Sequence, residues 1–296
     1  MKKIAILGST GSIGSSLINI IKKDQSEFKI ELLTVNKNYK KLIKQIKIFN
    51  VKNVIITNEK SYLRAKKILK KTNINIYNNF NSIKKIFRNK KIDYTMSAIS
   101  GFDGLKPTLD IIKFTNTIAI ANKESIICGW SLINKKIIRY KTKFIPIDSE
   151  HFSIWSLINS VKNENLEKVY ITASGGPFRK LPLNKFKYIT PHKALKHPNW
   201  IMGKKISIDS ATMMNKVFEI IEAKKIFDFD YKKLSILVHP KSYVHAIVKF
   251  TNGLTKLLIH DTSMEIPIFN SLYPNFEKLI SSNKLDIAKL NNLDLQ

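Results

Sequence analysis

Cysteine is nearly absent: Cys128 is the only one in 296 residues. No intrachain disulfide can form, a reducing compartment is implied, and the thiol itself reads as a small core residue among apolar neighbours. Arginine is almost as scarce. Of 51 basic residues only Arg64, Arg88, Arg139 and Arg179 are arginine, whereas base readout and bidentate phosphate clamping favour that side chain. The lysines are scattered, not gathered in one block, and come with an excess of Asn and Ile, as in Asn73-Ile74-Asn75-Ile76-Tyr77-Asn78-Asn79. Much of the net charge of +29 is therefore compositional background that still steers small anions inward. A basic nucleic-acid-binding protein remains the lesser alternative, and no nucleic-acid partner is expected. Long hydrophobic runs are missing as well, none approaching the roughly eighteen residues of a membrane span. Met1-Lys2-Lys3 leads into only four apolar residues before Gly8, too few for a secretory h-region. The expectation is a cytoplasmic protein without a membrane partner.

What is present reads first as a nucleotide-binding half. With 44% hydrophobic residues the chain can bury a sizeable core, and its length suggests about two domains. Residues 3–7 form a short apolar strand that ends in Gly8-Ser9-Thr10-Gly11-Ser12-Ile13-Gly14 and enters an amphipathic stretch from Ser15 to Lys23. Strand, glycine turn and helix make the first unit of a dinucleotide fold, because glycines let the backbone approach a pyrophosphate resting at a helix N-terminus. The spacing is G-x-x-G-x-x-G, so an ordinary glycine-rich turn is the competing reading. The second strand, Lys29 to Val35, ends in Asn36-Lys37-Asn38 where an NAD-preferring fold carries Asp or Glu. Lysine there attracts a 2′-phosphate. NADP(H) is the expected cofactor, with Ser9, Thr10, Lys37 and Asn38 as contacts, unless Lys37 is a solvated turn residue. Helical and strand patterns alternate through residues 40–90 without a motif. A strand at Thr117–Ala121 then ends in Asn122-Lys123-Glu124-Ser125, which belongs near the nicotinamide end and also reads as a helix start with Glu124 against the dipole.

At the middle lies Pro146-Ile147-Asp148-Ser149-Glu150-His151. Residues two apart in an extended segment point the same way, so Asp148 and Glu150 can aim two carboxylates at one point, and Glu219 on a later helical stretch supplies a third. Oxygen-only ligands favour a hard ion, Mg²⁺ or Mn²⁺. Solvated acids at a domain edge are the alternative. Farther on, Leu234–Pro240, Val244–Phe250 and Leu254–His260 read as strands, with Asn252-Gly253 as a hairpin signal. His239 and His245 read as structural.

Taken together, Gly8–Gly14, Ala121-Asn122-Lys123-Glu124-Ser125, Pro146–His151, Thr172-Ala173-Ser174-Gly175-Gly176-Pro177-Phe178, His197-Pro198-Asn199-Trp200 and Ser207–Lys216 closely resemble the 1-deoxy-D-xylulose-5-phosphate reductoisomerase family through nearly the whole chain. The resemblance implies an α/β fold. A Rossmann-like NADPH-binding domain at residues 1–147 is followed by an α+β catalytic domain at 148–275 with a mostly antiparallel dimerisation sheet, a flap near 195–205, and a linker remnant at 276–296. It implies NADPH- and metal-dependent rearrangement and reduction of 1-deoxy-D-xylulose 5-phosphate to 2-C-methyl-D-erythritol 4-phosphate, in the methylerythritol-phosphate route to isoprenoids, by a homodimer.

The resemblance also assigns residues. Asp148, Glu150 and Glu219 hold one Mg²⁺ or Mn²⁺ and act in catalysis with Lys123. Gly8, Ser9, Thr10, Gly11, Ser12, Ile13, Lys37, Asn38, Asn122, Lys123, Glu124, Met202 and Gly203 contact the cofactor. Lys123, Ser149, Glu150, Ser174, His197, Trp200, Ser210, Asn215, Lys216 and Glu219 contact the sugar phosphate. Ser174 with Gly175 and Gly176, then Ser210, Asn215 and Lys216, offer the hydroxyls, amides and point charge that hold a phosphate, although Ser210 also reads as a plain N-cap of the next helix. Residues His197–Gly203 are too aromatic and interrupted for a helix and match the flap. Two departures stand out: Glu265 after Met264 where the family has a basic residue, and Ile259–Ser263 in place of a glycine-rich loop. The sequence ends at Gln296 where family members continue into a helical domain, so a truncated, inactive relative is the alternative reading.

Overall fold

In this computed structural model residues 1–88, 90–158, 161, 163–200, 203–275, 278–280 and 290 are described. The chain divides into two compact units, Met1–Ile147 with Ile268–Pro274, and Asp148–Pro267 with Asn275–Gln296.

The first unit alternates strand and helix: β1 (Lys2–Leu7), α1 (Ser12–Lys23), β2 (Phe28–Val35), α2 (Tyr39–Phe49), β3 (Asn53–Ile56), α3 (Glu59–Ile68), β4 (Asn75–Tyr77), α4 (Ser82–Ile86), β5 (Ile92–Ser97), α5 (Leu105–Ile111), β6 (Thr115–Ile120), α6 (Lys123–Tyr140) and β7 (Lys143–Pro146). The strands form one sheet in the order β4-β3-β2-β1-β5-β6-β7, with every pairing parallel. A parallel strand covered on both faces needs an unbroken apolar run, and Ile4, Ala5, Ile6 and Leu7 of β1 are all fully buried. Helix α1 packs Leu17, Ile20 and Ile21 inward, the three-and-four spacing of one helical face. Strand order reverses between β1 and β5, which makes the C-terminal ends of those strands the place where an open α/β sheet receives ligands. Gly8 occupies that point with φ +86°, and a Cβ there would stand 2.7 Å from the Ala98 carbonyl oxygen just beyond β5.

Two expectations change in this unit. Cys128 on α6 is exposed and is not a core residue. The helical turn at Ile126–Gly129 buries Ile126 and Gly129 and turns the thiol outward. The segment Ile268–Pro274, assigned by sequence to the second domain, belongs to the first. Hydrogen bonds hold it there: Ser271 to the buried Tyr94 hydroxyl at 2.7 Å, the Tyr273 hydroxyl to Asp24 at 2.7 Å, and Lys2 to the Leu272 carbonyl at 3.1 Å.

The second unit holds α7 (Ser149–Leu157), β8 (Leu166–Ala173), α8 (Pro191–Ala194), α9 (Lys204–Ala211), α10 (Met214–Phe227), β9 (Leu234–Val238), β10 (Val244–Phe250), β11 (Thr255–Ile259) and the start of α11 (Glu265–Leu272). Its sheet runs β11-β10-β8-β9, antiparallel except between β8 and β9. The side-chain period of two sorts the strands. Val169 and Ile171 of β8, with Ala246, Val248 and Phe250 of β10, face Ile154 of α7 and Ala223 of α10, while Tyr170 and Ile247 belong to the opposite face with Leu237. Burying side chains of this size contributes roughly 1.5–3 kcal/mol each. That packing fixes α7 and α10, the two helices that carry the acidic residues.

Candidate active site

In the first unit the glycine turn is braced from below. The Gly8 amide donates to Thr34 Oγ1 at 2.9 Å and the Ser9 amide to the Thr34 carbonyl at 3.0 Å. The fully buried Ser9 hydroxyl donates to Gln45 Oε1 at 2.8 Å, and Gln45 returns a bond to the Ser9 carbonyl at 2.9 Å. Ser9 is thus part of the scaffold, and its hydroxyl is not offered to a ligand. Helix α1 begins at Gly11 without a side-chain cap, leaving the amides of its first turn to other acceptors. Thr10, Gly11, Ser12 and Ile13 line this open end and are at least partly accessible. Lys37 is exposed at the end of β2, and Asn38 caps α2 by accepting from the Lys41 amide at 3.2 Å. Lys41 itself, which sequence reasoning passed over, brings its ammonium to the turn, 2.6 Å from Ser15 Oγ and 3.4 Å from the Thr10 carbonyl. Asn122 caps α6 through the Ser125 amide at 2.7 Å and donates to the carbonyls of Gly101, at 2.8 Å, and Ile99. Lys123 and Glu124 open that helix, Lys123 buried and Glu124 partly so.

In the second unit Asp148, Glu150 and Glu219 converge, with carboxylate oxygens all within 4.8 Å of one another. The route differs from the extended spacing expected from sequence. Asp148 is extended, but it is the N-cap of α7, and Glu150 already lies in the first helical turn. Asp148 accepts from the Glu150 amide at 3.2 Å, so capping, not strand alternation, draws the two acids together. Glu219 arrives from α10, 1% exposed. Burial, then the Glu219 carboxylate, pushes Glu150 up to about 7 against the pull of Lys216. The Lys216 ammonium sits between the acids, 2.9 Å from Glu150 and 2.6 Å from Glu219, and also donates to the Thr172 carbonyl. Burial opposes its charge, but the two carboxylates outweigh that and hold Lys216 above the usual lysine range. Ser149 donates to Glu150, and Asn215 donates to Glu219 one turn along α10.

Beside this centre Gly175 and Gly176 both take positive φ. A Cβ on Gly176 would stand 2.7 Å from the Ser210 carbonyl, so the turn can pass close to the end of α9 only as glycine. The Gly176 amide donates to Ser174 Oγ at 3.1 Å, and the same hydroxyl lies 3.0 Å from His197 Nε2. His197 Nδ1 accepts from the amides of Asn199, at 3.1 Å, and Trp200, at 3.0 Å. The ring is therefore neutral with its proton on Nε2, in keeping with the downward push from burial and from Lys216. The segment is anchored by Asn199, which donates to the Pro240 carbonyl at 2.6 Å and to Ser242 at 2.7 Å. Trp200 meets His245 edge-on at 5.9 Å, and His245 stacks on His260 at 3.6 Å.

Residues 4–129 match the family profile described as 1-deoxy-D-xylulose 5-phosphate reductoisomerase, and residues 144–227 match that of its C-terminal domain. A curated relative of that name from Pelagibacter ubique is 71% identical over 297 residues, with all of this chain and 76% of the relative covered. The chain belongs to the 1-deoxy-D-xylulose 5-phosphate reductoisomerase family. Another reductoisomerase, from Phocaeicola vulgatus, is 39% identical over the whole chain and 77% of its own length. The Zymomonas mobilis enzyme solved with NADPH superposes with TM-score 0.90 at 34% identity, covering 100% of this chain and 76% of that one. A reductoisomerase solved with NADPH, fosmidomycin and magnesium gives TM-score 0.90 at 30% identity, covering 100% and 75%.

The donor set suits the reductoisomerase metal. Three buried or half-buried carboxylates with no sulfur ligand fit a hard divalent ion. Of the expected phosphate cluster, Asn215 and Lys216 turn to the carboxylates, while Ser210 lies in the last turn of α9 and caps nothing. Helix α10 has Met213, with φ 59°, at its N-cap. Gly203 is the exposed N-cap of α9, and Met202 lies outside the described residues. His239 and His245 belong to no cluster of potential metal ligands among the described residues. Sequence reasoning missed two buried side chains. His151 was read only as part of a motif, and Glu222 was not singled out, although it follows Glu219 by three residues and so shares its helix face.

Proposed function

We propose that this chain is an NADPH- and divalent-metal-dependent reductoisomerase that converts 1-deoxy-D-xylulose 5-phosphate to 2-C-methyl-D-erythritol 4-phosphate in isoprenoid precursor biosynthesis. The observation that carries this reading is the convergence of Asp148, Glu150 and Glu219 within 4.8 Å in a chain of this family. These three residues hold the ion. When bound, a divalent cation there supplies a Lewis acid that polarises the substrate carbonyl and stabilises developing oxyanion charge.

The chain's own groups do the rest. Ser149 and Asn215 hold Glu150 and Glu219 in place by the hydrogen bonds described above. Lys216 supplies positive charge to the same two acids and limits their mutual repulsion. Ser174 and Ser210 offer hydroxyl donors to the substrate phosphate, and the Gly176 amide with neutral His197 orients the Ser174 hydroxyl for that contact. Trp200 covers the substrate and excludes water as part of the flap. In the first unit the open start of α1 takes the pyrophosphate, Lys37 and Lys41 face the 2′-phosphate, and Asn122, Lys123 and Glu124 serve the nicotinamide end. The protein works in the cytoplasm as a homodimer paired through the second-unit sheet, a state that light scattering tests directly.

The deciding assay is NADPH oxidation at constant chain concentration with 1-deoxy-D-xylulose 5-phosphate and Mn²⁺ or Mg²⁺, beside Asp148→Asn and a chelator. Metal-dependent oxidation lost in the variant is expected. A folded chain that binds NADPH and Mn²⁺ yet oxidises nothing would overturn the assignment.

A further inference from the structure

Two buried ionisable side chains touch the carboxylate centre without belonging to it. His151, on α7, is fully buried, and Glu222, on α10, is 2% exposed. His151 Nε2 lies 2.9 Å from the Glu219 main-chain carbonyl, an acceptor only, so this nitrogen carries a proton. Its other nitrogen, Nδ1, faces two carboxylates, 3.3 Å from Asp148 Oδ1 and 3.5 Å from Glu222 Oε2. The ring face rests on Phe227, with centroids 6.3 Å apart and planes 23° apart. One imidazole thus ties the capping acid of α7 to the main chain of α10 at the residue bearing the third carboxylate.

We propose that Glu222 and His151 are positioning residues for the metal centre: Glu222 orients His151, and His151 holds Asp148 and the Glu219 turn at the spacing a divalent cation requires. Outer partners of this kind fix the orientation of ligands, and their loss typically weakens metal binding about 10–100-fold. Asp148, His151 and Glu222 also place ligand atoms within 4.8 Å of one another and so offer a rival reading, a second ion. With Nε2 donating to a carbonyl, Nδ1 either carries a second proton between the two carboxylates or offers a lone pair to an ion, and the number of ions bound separates the two readings.

The inference rests on the metal-dependent reading above. Its test is a Mn²⁺ titration of the full chain, with free Mn²⁺ read by electron paramagnetic resonance, for wild type, Glu222→Gln, His151→Gln and the double variant. NADPH affinity and thermal unfolding in chelator are measured alongside. Expected are one equivalent of Mn²⁺ in wild type, binding about 10–100-fold weaker in Glu222→Gln, and unchanged NADPH affinity. In the His151→Gln background, Glu222→Gln should add little, because both remove the same link. A merely structural role would make the two losses add. Unchanged Mn²⁺ affinity in Glu222→Gln, additive losses, or two equivalents in wild type falling to one would each overturn the proposal. Glu222→Gln is isosteric and decides the first arm even if His151→Gln does not fold. No Mn²⁺ bound by wild type would instead overturn the metal-dependent reading itself, and with it the role assigned here.

Discussion

Replacing Lys216 with methionine tests whether the carboxylate centre is a balance of charge or a set of independent contacts. The ammonium is 7% exposed and lies between Glu150 and Glu219. Removing one partner of a buried ion pair costs about 3–5 kcal/mol, because the other charge is left without compensation. Glu150 is 14% exposed and already titrates near 7, so it can relieve part of the strain by taking a proton. The lower end, about 3 kcal/mol, is expected, which lowers the melting temperature by about 5 °C for a chain of this length. Thermal unfolding at pH 8 with chelator and with Mn²⁺ measures it. An ion held by the same acids supplies the missing charge, so Mn²⁺ should raise the midpoint of Lys216→Met more than that of wild type. Below pH 6, where Glu150 carries a proton, the gap between the two proteins should shrink. A variant that melts as high as wild type in chelator, or equal gains from Mn²⁺ in both, would refute the reasoning.

Other predictions follow from single features of the two units. His260 is buried and held down to about 4, chiefly by burial. The unfolded chain takes up that proton near 6.5, so folding stability should be intact above pH 6.5 and fall by about 3 kcal/mol between there and pH 4. Denaturant titrations should show a flatter pH profile for His260→Gln, and an unchanged slope would remove His260 as the cause. Lys41→Met deletes a half-exposed cation at the glycine turn and should weaken NADPH about fivefold, roughly 1 kcal/mol after allowance for solvent screening, while sparing NADH. Equal losses for both nucleotides in fluorescence titrations would place the lysine away from the 2′-phosphate. Gly176→Ala combines positive φ with a Cβ 2.7 Å from the Ser210 carbonyl, and should cost about 1–3 kcal/mol by thermal unfolding. Wild-type stability would show that α9 yields freely.

The parts of this protein legible in its sequence are those where one physical demand acts alone. β1 must be apolar from Ile4 to Leu7 because helices cover both faces of its sheet, and Gly8 must be glycine because a backbone carbonyl stands where its Cβ would be. The acidic centre was legible as a set of residues but not as a geometry. Asp148 and Glu150 looked like neighbours on one face of a strand, whereas the chain turns into a helix between them and the first acid caps it. The spacing is the same in either case, and only the tertiary placement of α7 decides. Lys216 was legible as a site residue but was assigned to the phosphate, whereas it turns to the carboxylates. Glu222 was harder still, because a glutamate three residues after another on a helix is usually solvated. Cys128 failed in the opposite direction, because its apolar neighbours in sequence face another way once the helix forms.

Lysine excess makes the composition of the carboxylate centre more informative, not less. A chain of net charge +29 has cations to spare at every surface, yet here it gathers four acids, Asp148, Glu150, Glu219 and Glu222, around the ammonium of Lys216 and the imidazole of His151. Glu150 registers that crowding, since it is driven up to about 7 by burial and by its acidic neighbours against the pull of Lys216. A structural salt-bridge network would gain from one more lysine, and the sequence offers many. Crowding carboxylates into a buried cluster is costly to the free protein and is relieved when a cation joins them, and a carboxylate perturbed in this way is a mark of a site arranged for binding, not for folding.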